Sequence, residues 1–66
     1  MHLNVNGSII VTETRTLADF FASKQIETTH IIVELNQTVL PRTTDFSSIL
    51  LNEGDDLNLL HIVGGG

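Results

Sequence analysis

Apolar and polar residues alternate through "HLNVNGSIIVT", and Asn6-Gly7 separates two such runs. Asn-Gly suits the positive φ angles of a two-residue type I′ turn. That turn pairs Val5 with Ser8, Leu3 with Ile10 and Met1 with Thr12. Leu3, Val5 and Ile10 then share one face, while Ile9 and Val11 point to the other. The period changes in "TLADFFASKQIE", where Leu17, Phe20 and Phe21 fall at i, i+3 and i+4. A helix follows, with Thr16 as N-cap and Asp19 near its positive end. Alternation returns in "HIIVELNQTVLP": Ile31, Val33 and Leu35 point inward, Asn36-Gln37 turns the chain, and Thr38 to Leu40 come back until Pro41 ends the ladder. "RTTDFSSILLNEGDD" is connection, with a short helical turn near Asp45 and Phe46 and a further turn at Gly54-Asp55. "LNLLHIV" is the last strand.

The predicted order is strand, strand, helix, strand, short strand, strand. A single helix covers one face of a small sheet. Leu57 and Leu59 are expected to face it, so Asn58, Leu60 and Ile62 face the opposite way. Leu60 and Ile62, joined by Ile9 and Val11, form a candidate apolar docking patch on the uncovered face. The same alternation also suits a central strand that is simply apolar on both sides.

Composition narrows the function classes. A 66-residue chain buries roughly 60% of the surface its unfolded form exposes, which leaves little room for a substrate cleft. Eight acidic residues face three bases, Arg15, Lys24 and Arg42, for a net charge of −5. Nucleic-acid binding needs clustered Lys and Arg, so no nucleic acid is expected; a basic protein surface is the natural partner for an acidic domain. Cysteine is absent, so there is neither a disulfide nor a thiolate nucleophile, which suits a reducing cytoplasm. Met1 leads directly into a strand without a basic leader, and the apolar runs fall far short of the ~20 residues a membrane span needs.

Catalytic and ligand-binding sets are missing from the pattern. Gly64, Gly65 and Gly66 cannot cradle a phosphate as a strand-to-helix loop does, because no helix follows them. His2, His30 and His61 share no metal-ligand spacing, so no metal is expected. Glu53, Asp55 and Asp56 lack the alternating oxygen ligands of a calcium loop and read as a solvated turn. Ser47 and Ser48 have no evident base.

The remaining feature is "VGGG", which follows the last strand without a polar spacer. Taken alone, terminal glycines are most often a frayed end. Here they also make a thin thread carrying a carboxylate, able to enter a narrow channel in another protein. The expected layout is a folded domain over residues 1–63 and a flexible tail over 64–66. A carboxylate is a poor electrophile, and adenylation would activate it. The activating site and any sulfur would have to come from outside this chain.

"LNVNG", "TLADFF", "VELNQTVLPR", "EGD" and the terminal "VGGG", in that order and at this length, resemble the ThiS family. These are the sulfur-carrier proteins of thiamine biosynthesis. Many members carry Trp after the Pro-Arg pair, a region that Phe46 occupies here. The resemblance implies an α+β, ubiquitin-like β-grasp fold, a mixed sheet of about five strands with one main helix packed on one face. It implies a carrier rather than an enzyme, with no bound cofactor. An ATP-dependent, ubiquitin-activating-enzyme-like adenylyltransferase (ThiF) would adenylate Gly66, with Gly65 its obligatory neighbour and Gly64 extending the thread. A cysteine desulfurase system would supply sulfur for a C-terminal thiocarboxylate, and thiazole synthase (ThiG) would accept it. Leu60 and Ile62 fall where ubiquitin-like folds often dock partners. Two alternatives remain open at this stage: a β-grasp sulfur carrier serving molybdopterin or tRNA thiolation, and a non-catalytic β-grasp interaction module with inert glycines.

Overall fold

A computed structural model describes residues 1–62 of the chain. Strands β1 (His2–Val5) and β2 (Ser8–Val11) form the expected hairpin. Asn6 and Gly7 both take positive φ, 49° and 83°, as a type I′ turn requires. The register is the one the turn dictates, with Leu3 opposite Ile10 and Val5 opposite Ser8. The hairpin extends one pair further: Thr12 N–H donates to the Met1 carbonyl at 2.9 Å, and the Met1 ammonium donates to the Thr12 carbonyl at 2.8 Å.

Helix α1 (Leu17–Ser23) starts as its sequence predicts, with Thr16 Oγ1 accepting from Asp19 N–H at 3.1 Å. It stops sooner than the run "ASKQIE" suggests. Gln25 adopts φ 55°, Gln25 N–H donates to the Ala22 carbonyl and Ile26 N–H to the Phe21 carbonyl. This pair of bonds is a Schellman ending, built here around glutamine where glycine is usual. Ile26, released from the helix, packs against the core.

Strands β3 (Ile31–Leu35) and β4 (Thr38–Leu40) flank Asn36 and Gln37, whose φ values of 50° and 69° again make a left-handed two-residue turn. Asp45 caps a single 3-10 turn, Phe46–Ser48, through its carboxylate. The return segment pins the helix start, with Leu17 N–H to the Ile49 carbonyl and Leu51 N–H to the Arg15 carbonyl. Strand β5 (Asp56–His61) completes the sheet.

The strand order is β2-β1-β5-β3-β4. β5, last in sequence, is central; it runs parallel to β1 and antiparallel to β3. With α1 on one face, this is the five-stranded mixed sheet of a ubiquitin-like β-grasp. Leu3, Leu17, Phe20, Phe21, Ile31, Val33, Leu51 and Leu57 are buried between helix and sheet. Phe21 meets Phe46 edge-on, with centroids 5.2 Å apart. Phe46, in the region after the Pro-Arg pair, therefore closes the core at the 3-10 turn.

Two asparagines tie β5 to the hairpin turns. Asn6 Oδ1 accepts from Leu59 N–H at 2.8 Å, and Asn36 Oδ1 accepts from Asp56 N–H at 2.9 Å. Asn36 Nδ2 also donates to Asp55 Oδ1 at 3.0 Å, while Asp55 Oδ2 accepts from Asn52 N–H. Each asparagine does two jobs: it tolerates the left-handed turn, and its side chain takes the place of a missing ladder partner.

Glu53 joins the turn before β5 to the start of β1. Its carboxylate accepts from His2 N–H at 2.8 Å and lies 3.0 Å from His2 Nδ1. The backbone bond from His2 holds the Glu53 carboxyl below its ordinary value, with desolvation opposing it. Because the folded-state pKa is depressed, this contribution is present above the unfolded-state value and is lost as pH falls through the folded one. Glu53→Gln should therefore lower the unfolding midpoint near neutrality, with the gap to the parent closing on acidification. A gap that is constant with pH would contradict this.

The asparagine ties are separately testable by urea unfolding. Asn6→Gly keeps the turn and removes the acceptor, so a loss of about 1 kcal/mol is expected. Asn6→Asp retains an acceptor oxygen and should lose less than Asn6→Gly. Equal stability of Asn6→Gly and the parent would show that the Leu59 bond contributes nothing.

Candidate partner-docking face and carrier terminus

The helix covers one face of the sheet and leaves the other open. Successive residues of a strand alternate between these faces. On β5, Leu57 and Leu59 lie on the helix side, and Asn58 and Leu60 on the open side, as the period-two pattern requires. Leu60 is 51% exposed and Ile62 is 40% exposed. Ile62 N–H still donates to the His30 carbonyl at 2.9 Å, so the chain remains joined to the sheet as it leaves β5.

Leu60 lies directly opposite Ile32 of β3, which is 38% exposed on the same face. Leu60, Ile32 and Ile62 therefore form one apolar group at the C-terminal end of β5. Ile32 is a member that reading the strands singly did not find. Its signal was present: if Ile31 and Val33 point inward, Ile32 points outward, and pairing β3 with β5 puts it beside Leu60.

Ile9 and Val11 are also exposed on the open face, as expected. They do not join the Leu60 group. The register sets Ile9 beside Asn4, and Asn4 beside Asp56. Two strand spacings and four residues then separate Ile9 from Leu60, about 16 Å. His2, Asn4, Asp56, Asn58 and Glu34 occupy the ground between, and Asn58 Nδ2 reaches Glu34 Oε1 at 3.5 Å. The open face thus has an apolar corner at the exit of β5, an acidic and amide middle, and a second apolar strip on edge strand β2.

The sequence-expected carrier residues Gly64, Gly65 and Gly66 lie outside the described residues, as does the expected domain boundary after residue 63. Among the described residues, no group of three His, Cys, Asp or Glu side chains could hold a metal ion. His2 is engaged with Glu53, while His61 ends β5 and His30 lies in the turn just before β3. Of the residues read from sequence as a solvated turn, Glu53 stays exposed while accepting from His2 N–H, whereas Asp55 is buried and accepts from Asn52 N–H. No helix among the described residues is long and apolar enough to cross a membrane.

Comparison with known proteins agrees with this geometry. The ThiS family model matches residues 3–66, which includes the three terminal glycines. The crystal structure of a thiamine biosynthesis protein, ThiS, from Geobacter metallireducens superposes with a TM-score of 0.81 at 27% identity. That match covers 100% of each chain. No curated protein matches the chain. With nearly its whole length matched by the family model and its fold shared with a ThiS structure, the chain belongs to the ThiS family.

Proposed function

We propose that this chain is a sulfur carrier in thiamine biosynthesis and that Gly66 is the residue that carries the sulfur. The observation that carries the reading is the family match running through the terminal glycines. The fold supports it in two ways. Its last strand is its central one, so a terminus leaving β5 follows a strand paired with β3 along its length and with β1 at its start. The apolar corner of Leu60, Ile32 and Ile62 lies at that exit, where a partner holding the terminus would also touch the body.

The chemistry belongs to the partners. In the active site of a ThiF-like adenylyltransferase, the Gly66 carboxylate attacks the α-phosphorus of ATP and pyrophosphate leaves. The resulting acyl-adenylate is an activated carbonyl. The terminal sulfur of a cysteine persulfide from a desulfurase system displaces AMP to give an acyl disulfide; a second thiol of that system then attacks the cysteine sulfur, forming a disulfide and releasing the thiocarboxylate. A ThiG-like thiazole synthase then accepts the sulfur. The glycine thread contributes absence of bulk: no Cβ blocks the approaching nucleophile. The chain acts as a carrier worked on by other enzymes, binds no cofactor of its own, and works in the cytoplasm where those enzymes act.

Pyrophosphate exchange with a ThiF-like enzyme tests this. The parent chain should support exchange, and the chain lacking Gly65 and Gly66 should lose it completely while unfolding at the same midpoint. Leu60→Asp should raise the KM for the carrier about tenfold with little change in stability, because the side chain is half exposed. Exchange supported by the truncated chain, or only by a molybdopterin-type activating enzyme, would overturn the assignment.

A further inference from the structure

Strand β5 outlasts β1. Pairing between them covers Asn4 with Asp56 and Val5 with Leu57, and Asn6 N–H then reaches the Leu57 carbonyl at 2.9 Å. The Asn6 side chain takes one group more, Leu59 N–H. Beyond that point the chain has turned into β2. On the other side, Leu60 and Ile62 direct their backbone groups to β3, as the Ile62 bond to His30 shows. By alternation, the Leu59 carbonyl and both backbone groups of His61 point the other way, past the end of β1. None of these three groups has a hydrogen-bond partner among the described residues.

The structure assigns this short length of β5 as a strand-addition edge: we propose that an extended segment of the activating enzyme pairs with Leu59 and His61, continuing the line that β1 abandons. The inference rests on the carrier reading above for the identity of the partner. The free groups are backbone donors and acceptors in a row, and an extended backbone satisfies such a row. The surroundings on both faces set the side chains it would carry. On the helix side, a groove of about 440 Å³ runs along the edge, lined among others by Gln25, Ile26, Glu27, Leu59 and His61. A partner residue opposite His61 would enter it. A lysine or arginine fits there, its stem against Ile26 and Leu59 and its cation near Glu27. That choice agrees with the chain's net charge of −5. On the open face, the neighbouring partner residues would lie against Leu60 and Ile62, so they are apolar.

This arrangement differs from docking on the open face alone, because it depends on one backbone N–H that has no acceptor among the described residues. His61→Pro removes that N–H, and proline is tolerated at an unpaired strand edge. His61→Ala removes the same side chain and keeps the N–H. Both variants should unfold close to the parent. In pyrophosphate exchange with the activating enzyme, His61→Pro should raise the KM for the carrier about tenfold over His61→Ala, with kcat nearly unchanged. Glu27→Lys should raise it in the same direction. With the parent chain, the His61 amide should exchange with solvent more slowly in the complex than in the free protein. Equal KM values for His61→Pro and His61→Ala, or an unprotected His61 amide in the complex, would overturn the strand-addition edge and leave the carrier reading standing. A parent chain that drives no exchange would overturn the carrier reading, and this inference with it.

Discussion

The structure depends on the placement of its last strand at the centre of the sheet. Leu57 has no exposed surface, and its strand is flanked by the parallel β1 and the antiparallel β3. The chain must therefore fold around the last of its described strands. The Val5–Leu57 pairing joins positions separated by nearly the whole domain, the kind of contact whose loop-closure cost slows folding. A chain leaving β5 follows a strand paired with β3 from Leu57 to His61 and with β1 at its start, Asp56 and Leu57.

Much of that placement was legible in the residues. Asn6-Gly7 specified the first hairpin to the residue, because few other pairs accept two positive φ angles in succession. Thr16 and Asp19 marked the start of the helix, and Pro41 marked the end of the fourth strand. The helix end was not legible, since Gln25 takes the left-handed position that glycine usually advertises. The asparagine ties were hidden for a different reason. Asn6 and Asn36 announce turns, but their bonds to Leu59 and Asp56 span 53 and 20 residues. Such contacts exist only once the strand order is known.

The same limit governed the open face of the sheet. Alternation along single strands correctly turned Ile9, Val11, Leu60 and Ile62 outward. It could not say which of them are neighbours. The strand order sets β1 between β2 and β5, and the register slides Ile9 down to the level of Asp56, so the expected patch divides. Ile32 gains its place beside Leu60 by the same two facts. The apolar corner and the backbone groups of Leu59 and His61 that face past β1 meet near the end of β5, in a protein whose own residues offer no nucleophilic thiol.

Division of labour follows from size. A domain this small buries one layer of side chains between one helix and one sheet, and spends that core on holding a strand in place rather than on shaping a cleft. On the carrier reading proposed above, its contribution to the chemistry is the acyl end of Gly66, with a recognisable body behind it. The intact mass of the chain tests that most directly, measured after incubation with the activating enzyme, ATP and a sulfur source. Replacement of one carboxylate oxygen by sulfur should add about 16 Da, located at Gly66 by fragmentation. An unchanged mass under conditions that support pyrophosphate exchange, or the same gain at any other residue, would contradict the account.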